Sequence, residues 1–373
     1  MPTSLPKRIA YFITGHGYGH AVRSARLINA LQSTSHVTVF TTVEKEFFQR
    51  ELVAEFDYIE LELDCGCVQY GALDVDVSAT YERYAAIEST RPELLHMSCE
   101  QLLEQRAEFV IGDIPPLAFA AAARLGLPSL AVSNFTWAEI YAEYCKEDQR
   151  FIALLASIRQ DYAHAGHYAR LHPGISKHPF HRSTDVGLLC RNSARSREWL
   201  AERLCLDLSR KWCLIYIGAF GVEGVNWERL KHYRDWHFIG LYALPDAPDN
   251  YTQIHLSGEV EHSDILPNCD LVLGKLGYGL VSECLFWERP IAYPPRLRFA
   301  EHAALANVVQ HYGIGFALTH DDLVNCRFGE ALSWSGSVVC TECYKSLATT
   351  EILDLITTQF SNYRRILNEK NKV

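Results

Sequence analysis

The chain has 373 residues, 48% of them apolar, with 35 basic and 45 acidic side chains and a formal net charge of −10. That length suits two α/β cores better than one. The acidic balance, without any Lys/Arg block, argues against generic nucleic-acid binding, and no apolar stretch approaches the length of a membrane span. Met1 to Arg8 lacks the apolar core of a signal peptide, so the expectation is a soluble, cytoplasmic protein. The 12 cysteines are then expected to be reduced packing residues. Cys65-Gly66-Cys67 and Cys340-Thr341-Glu342-Cys343 are the close pairs, and beyond His320 no further ligands stand at metal-binding spacing, so no metal site is expected.

In chain order, Arg8 to Ile13 reads as a buried strand, Ala21 to Gln32 as a helix and His36 to Thr41 as a second strand. Phe56 to Leu63 reads as another strand, followed by the Cys-Gly turn. Tyr81 to Gln105 is helical, with Pro92 breaking or kinking it. Phe109 to Asp113 is a strand ending in an acid, Pro116 to Leu125 an alanine-rich helix, and Ser129 to Ser133 a further strand. After the turn-rich stretch His172 to Pro179 the style repeats. Cys213 to Ile217, His237 to Gly240, Leu271 to Leu273 and Pro290 to Tyr293 read as strands, Val281 to Trp287 and Glu301 to His311 as helices. This alternation implies mainly parallel, doubly wound sheets. The expected division is 1–185, 186–349 and a last helix, 350–373, that crosses back to the first domain.

Two glycine-rich segments stand out. Gly15-His16-Gly17-Tyr18-Gly19-His20 follows the first strand, and Gly274-Lys275-Leu276-Gly277-Tyr278-Gly279 follows Leu271-Val272-Leu273. Each reads as strand, tight turn, helix. A helix N-terminus presents unpaired N–H groups and a partial positive charge, so each turn can seat an anion or a polar ligand. One such turn in each half implies one site built between two domains.

These residues resemble a known group. Gly15 to Arg23 is similar to the first loop of two-domain (GT-B) glycosyltransferases. The run from Asp270 through Ser282-Glu283, Pro290 and Phe299-Ala300-Glu301 is similar to their donor-binding segment. A narrower resemblance lies in Asp64 to Gln69, Gly112 to Pro116, Ser133 to Trp137 and Ile140 to Tyr144, which resemble the glycosyltransferase-like N-terminal region of plant-type L-arabinokinases across about residues 1–330. Those kinases carry a second, sugar-kinase half. No such half and no Gly-x-x-x-x-Gly-Lys-Ser/Thr loop is present here, so kinase activity is not carried over and the expectation is a stand-alone transferase-like region.

The resemblance implies two Rossmann-like doubly wound domains facing across a cleft. It implies transfer of a hexosyl or pentosyl group from a nucleotide diphosphate-sugar, in the UDP-sugar class, to an unidentified hydroxyl acceptor, with inversion and without a metal. No cofactor is expected beyond that co-substrate. Related transferases use a histidine at the first turn as general base, which points to His20, with His16 as its rival; the bland alternative is that His20 organises the turn. Asp113 would orient that base, or cap the helix after Pro115-Pro116. On the donor side Gly17, Gly19, Gly277, Tyr278 and Gly279 allow close backbone approach, Ser282 adds a hydroxyl, and Glu283 takes the ribose diol. Lys275 neutralises phosphate or is a surface lysine; Arg296 binds phosphate or forms an ordinary salt bridge. Glu301 and His302 would grip the donor sugar. Gly218-Ala219-Phe220-Gly221 stands where related enzymes approach the diphosphate, without their hydroxyl residues. Asn134, Trp137 and Tyr141 shape an acceptor pocket or pack the core. Two rivals share the fold: a non-catalytic nucleotide-sugar binder or sensor, and a nucleotide-sugar epimerase.

Overall fold

A computed structural model describes residues 4–370 except 72, 193, 218–223, 245–246, 256–258 and 339–343. The chain forms two compact units, Met1–Val68 with Asp76–Leu189 and Ser346–Val373, and Gln69–Val75 with Cys190–Lys345. The sequence places the first boundary at 185/186; the units divide at Leu189/Cys190 and again at Lys345/Ser346.

The first unit is built on seven strands, β1 (Arg8–Ile13), β2 (His36–Thr41), β3 (Asp57–Glu60), β6 (Phe109–Asp113), β7 (Ser129–Ser133), β8 (His167–Leu171) and β9 (Ser183–Val186). Between β3 and β6 the two-residue strands β4 (Gln69–Tyr70) and β5 (Asp74–Val75) form an antiparallel hairpin that belongs to the second unit. The seven-stranded order is β3-β2-β1-β6-β7-β8-β9, every pair parallel. β1 and β6 are buried on both faces, as near-continuous apolar runs in a helix-covered parallel sheet must be. Gly112 lets Phe119 of the alanine-rich helix lie against β6, because a Cβ there would stand 2.5 Å from the ring. Pro92 starts a new helix, Arg91–Glu104, after Val77–Ser89; its missing N–H is harmless in a first turn.

The second unit has six strands, β10 (Lys211–Tyr216), β11 (Trp236–Gly240), β12 (Tyr251–Gln253), β13 (Leu271–Gly274), β14 (Ile291–Tyr293) and β15 (Gly315–Ala317). They lie in the order β12-β11-β10-β13-β14-β15, again all parallel. The core on one face joins Cys213, Ile215, Phe238, Leu271 and Leu273 to the helix Gly329–Ser335 through Ala331 and Leu332.

The last helix, Ala348–Lys370, packs on the first unit against β8, β9 and the helix Tyr18–Leu31. Ala348, Ile352, Ile356 and Phe360 are buried along it, a stripe of four-residue spacing. Glu351 accepts the Gly187 N–H at 2.7 Å and anchors its start. Among the described residues no helix is long and apolar enough to cross a membrane.

Candidate functional site

In an open parallel sheet, ligands collect at the carboxyl ends of the two strands where the connection order reverses. In the first unit those strands are β1 and β6. The turn after β1 leads into the helix Tyr18–Leu31, whose N-cap, Gly17, has φ 70° and no side-chain cap. That left-handed backbone is why a glycine stands there. The Thr14 N–H donates to the Asp113 carbonyl at 2.8 Å, tying the turn to the end of β6.

His20 and Asp113 meet at this point. His20 Nδ1 lies 2.8 Å from Asp113 Oδ1, and the side chains are 7% and 1% exposed. Burial alone would raise the Asp113 pKa. The charges of Arg23 and His20 and their hydrogen bonds outweigh it and hold the carboxyl down at about 2. An ionised carboxylate can only accept, so we assign the proton to Nδ1, which leaves Nε2 as the basic nitrogen of the ring. Ser24 Oγ also donates to Asp113, at 3.1 Å. The helix Pro116–Arg124 begins after Pro115 without a side-chain cap, so the Asp113 carboxylate serves His20, Arg23 and Ser24 rather than that helix.

His16 is bound differently. Its Nδ1 accepts the Cys67 N–H at 3.2 Å, and its ring meets Trp137 edge-on at 5.3 Å. Gly66, at φ 59°, makes room for it: a Cβ there would lie 2.3 Å from His16 Nδ1. Beneath this pair sits Asp64, which accepts from Thr14 Oγ1 at 2.6 Å and Trp137 Nε1 at 2.8 Å. Burial pushes Asp64 up to about 6, against those two hydrogen bonds. Asn134, Trp137 and Tyr141 are fully buried. Trp137 and Tyr141 stack at 5.8 Å, and Tyr141 donates to the Gly66 carbonyl at 2.5 Å. Trp137 lies against both histidine rings with Tyr141 stacked behind it, and Asn134 accepts from Arg23 instead.

In the second unit the order reverses between β10 and β13. The loop after β10, Gly218 to Gly221, lies outside the described residues. After β13 the helix Tyr278–Trp287 starts at the N-cap Gly277, again without a side-chain cap. It begins one turn earlier than the sequence suggests, because Tyr278 to Leu280 form its first turn. A Cβ on Gly277 or Gly279 would meet nothing within 4 Å among the described residues. Tyr278 is buried, and Ser282 Oγ, also buried, donates to the Gly279 carbonyl at 3.0 Å within its own helix.

Glu283 is 4% exposed. Its Oε2 lies 3.3 Å from His262 Nδ1, and the His262 ring meets Tyr216 at 4.7 Å. The buried His262 Nε2 has no hydrogen-bond partner among the described residues. Nearby charges gather at the ends of β13 and β14. Lys275 is partly buried; burial, with the like charge of Arg296 and against Glu301, pulls its pKa down to about 8. It is no ordinary surface lysine. Arg296 Nη1 lies 3.9 Å from Glu301 Oε2, a buried and loose pair, with the guanidinium 3.5 Å over the Phe299 ring. Burial and Arg296 lower the His302 pKa, and His302 Nδ1 is buried without a partner among the described residues. Lys275, Arg296, Glu301 and His302 thus stand together as one group of charged and polar side chains. The β4–β5 hairpin holds the loop that carries Arg296. Arg298, itself at φ 55°, contacts both Asp74 oxygens at 2.9 and 3.0 Å, and the Leu297 N–H donates to the Leu73 carbonyl at 3.0 Å.

Arg23, Ser24, Asp64, His262 and the Asp74–Arg298 contact have no assigned role in the sequence analysis. Arg23 carries one available signal: three residues after His20 on a helix, it shares that face. Among the described residues no group of three or more His, Cys, Asp or Glu could hold a metal ion, and Cys65 and Cys67 are both buried. Cys340 and Cys343 lie outside the described residues.

Two Rossmann-like units, each with a glycine turn at its reversal point, make this the GT-B fold of the glycosyltransferases. Solved structures agree across almost the whole chain. The Arabidopsis thaliana protein UGT89C1, complexed with quercetin, matches at a TM-score of 0.68 and 14% identity over 96% of this chain and 100% of that one. The glycosyltransferase of kitacinnamycin matches at 0.62 and 16% over 96% of each, and Acinetobacter baumannii MurG at 0.60 and 15% over 95% and 100%. In sequence, the chain is similar to the L-arabinokinase of Arabidopsis thaliana, 32% identical over 322 residues, 84% of this chain and 31% of that protein. The chain thus spans about a third of the length of that curated relative. No protein-family model matches it.

Proposed function

We propose that this protein transfers a sugar from a nucleotide diphosphate-sugar to an acceptor hydroxyl by a single inverting displacement. The observation that carries the proposal is the buried His20–Asp113 pair at the reversal point of a GT-B N-terminal sheet. His20 Nε2 takes the acceptor proton as the oxygen attacks the anomeric carbon. The bond from that carbon to the diphosphate breaks, and the nucleoside diphosphate leaves with the electron pair. Asp113 holds the ring and faces the imidazolium that forms.

The second unit supplies the donor side. The uncapped N-terminus of the helix Tyr278–Trp287, with Lys275 and Arg296, meets the charge developing on the diphosphate. Glu283 accepts from the ribose diol, and Glu301 and His302 take hydroxyls of the donor sugar. The nucleotide sugar is a co-substrate, and no further cofactor or metal is assigned. The structural neighbours support this reading through their fold, and UDP-pentoses and UDP-hexoses are the first donors to test.

A thermal-shift screen against nucleotide sugars tests it, followed by product analysis with and without acceptors. A donor at a hundred times its dissociation constant should stabilise the protein by about 2.7 kcal/mol. Tight donor binding without transfer across a broad acceptor panel would leave a binding module. A changed donor without acceptor would make it an epimerase.

A further inference from the structure

Arg23 is 3% exposed and sits at the centre of the first unit's hydrogen-bond network. Its Nε donates to Asp113 Oδ2 at 2.6 Å and its Nη2 to Asp113 Oδ1 at 2.5 Å, a bidentate grip. Nη1 donates to Asn134 Oδ1 at 2.5 Å, and Nη2 to Ser133 Oγ at 2.8 Å. Nη2 also lies 2.8 Å from His20 Nδ1. A guanidinium nitrogen at that position has two hydrogens. Asp113 Oδ1 and Ser133 Oγ take both. With the proton on Nδ1, that contact is one of two donors converging on the same carboxylate oxygen.

The charges have a consequence for the base. A buried carboxylate 2.8 Å from an imidazole, standing alone, would draw a proton onto the ring, and an imidazolium cannot accept another. Here the guanidinium cancels that charge at contact distance. Other groups near the ring include Phe135 at 5.5 Å, His16 and, behind Trp137, Asp64; the Trp137 ring lies 6.2 Å from that of His20, and the Tyr11 hydroxyl by Asp113 and Arg23 is kept neutral by burial, which raises its pKa.

We propose that Arg23 is a positioning residue that keeps His20 in its neutral, proton-accepting form: it neutralises Asp113 while locking the carboxylate where it accepts from Nδ1. Its relevance to catalysis rests on the transferase reading; the state of the ring does not. Asn134 and Ser133 hold the guanidinium in place, so two residues beyond the His–Asp pair take part in setting the base.

The test is a pH titration of the full chain carrying ¹⁵N-labelled histidine, following both His20 ring nitrogens by NMR. In the wild type, Nδ1 should carry the proton and the ring should be neutral at pH 7. Arg23→Gln should raise the His20 midpoint by about 1–2 pH units, while Arg23→Lys, which keeps the charge, should stay within about half a unit of wild type. Should Arg23→Gln leave Asp113 unpaired and the chain unfolded, the same step made on Asp113→Asn removes the cation without burying a lone carboxylate, and there too the midpoint should rise. An unchanged midpoint in every folded background tested overturns the proposal, as does a wild-type ring that is already charged at pH 7. Once a donor and acceptor are known, Arg23→Gln should shift the acidic limb of kcat upward and leave the donor KM in place. Transfer with an unmoved midpoint removes this proposal alone. A moved midpoint in a protein that transfers nothing removes the transferase reading alone.

Discussion

The two glycine turns occupy equivalent places in their sheets and are built on opposite principles. Around the first, the polar side chains are closed on one another. Asp113 receives Arg23, His20 and Ser24, and Asp64 receives Thr14 and Trp137. Around the second, the charged pairs stand further apart. Arg296 and Glu301 stand 3.9 Å apart, and among the described residues the buried nitrogens His262 Nε2 and His302 Nδ1 lack partners and a Cβ on Gly277 or Gly279 would meet nothing within 4 Å. A densely hydrogen-bonded network holds a reacting group in one orientation before substrate arrives. Buried ring nitrogens without a partner among the described residues can be completed by what binds to them. The first turn is therefore where loss should appear in turnover and stability, the second where it should appear in affinity.

The largest effect should come from His20→Ala. Turnover should fall by about 10²–10⁴-fold while donor affinity, measured by calorimetry, stays nearly constant. His16→Ala is the matched control, since it disturbs the same loop without touching Asp113. If His16→Ala abolishes turnover and His20→Ala retains it, the base belongs at His16 and the comparison fails at its first step.

Next is Asp113→Ala, read by denaturant unfolding. It leaves Arg23 buried without its carboxylate, and breaking such a pair costs about 3–5 kcal/mol. The pH dependence has a definite sign. With its folded pKa held down at about 2, Asp113 contributes stability that is present above its unfolded value and lost as pH falls through about 2. The variant should lack that acid limb. A loss under 1 kcal/mol would mean that the network relaxes and is not rigid.

How much of this was legible beforehand follows from the kind of signal each part leaves. β1, β2, β6 and β7 match the sequence reading residue for residue, because each is an apolar run cut off by a turn. β8, His-Tyr-Ala-Arg-Leu, and β9, Ser-Thr-Asp-Val, went unread: they lie toward the sheet edge and carry polar residues that look like loop. His20, Asp113 and Glu283 are marked by their position beside a strand end or glycine turn. Asp64 also stands beside an expected strand end and turn, but its role and that of Arg23 show only through partners 50 and 73 residues away for Asp64 and 90 and 111 for Arg23. Trp137 and Tyr141 fit a pocket wall and a core equally well until burial is known.

On the donor side, Glu283→Ala should weaken nucleotide-sugar binding by roughly 1.5–3 kcal/mol, since a buried carboxylate accepting from hydroxyls makes charge-assisted bonds. Stability should change less than for Asp113→Ala, because His262 Nδ1 at 3.3 Å is a weaker partner than Arg23. Equal affinities for wild type and variant in calorimetry would remove Glu283 from the donor site.

The smallest effect sharpens the comparison most, because it asks whether the second turn responds to its ligand. Lys275 in the unliganded protein has a pKa lowered to about 8 by burial and by Arg296. A diphosphate beside it favours the ammonium, so the pKa must rise on binding and a proton is taken up. Binding is then fully supported below pH 8 and weakens as pH climbs from 8 toward the value in the complex. If the complex restores the ordinary lysine value, affinity for a UDP-sugar should fall by about tenfold between pH 7 and pH 9. The neighbouring groups with resolved shifts titrate elsewhere: His302 is lowered from the histidine range and Tyr216 raised above the tyrosine range. Lys275→Met should bind more weakly at pH 7 and show a flat profile across the same window. Calorimetry in two buffers of different ionisation enthalpy reads the proton uptake directly. A wild-type profile as flat as the variant's would place the diphosphate away from Lys275 and leave Arg296 and the helix N-terminus to hold it.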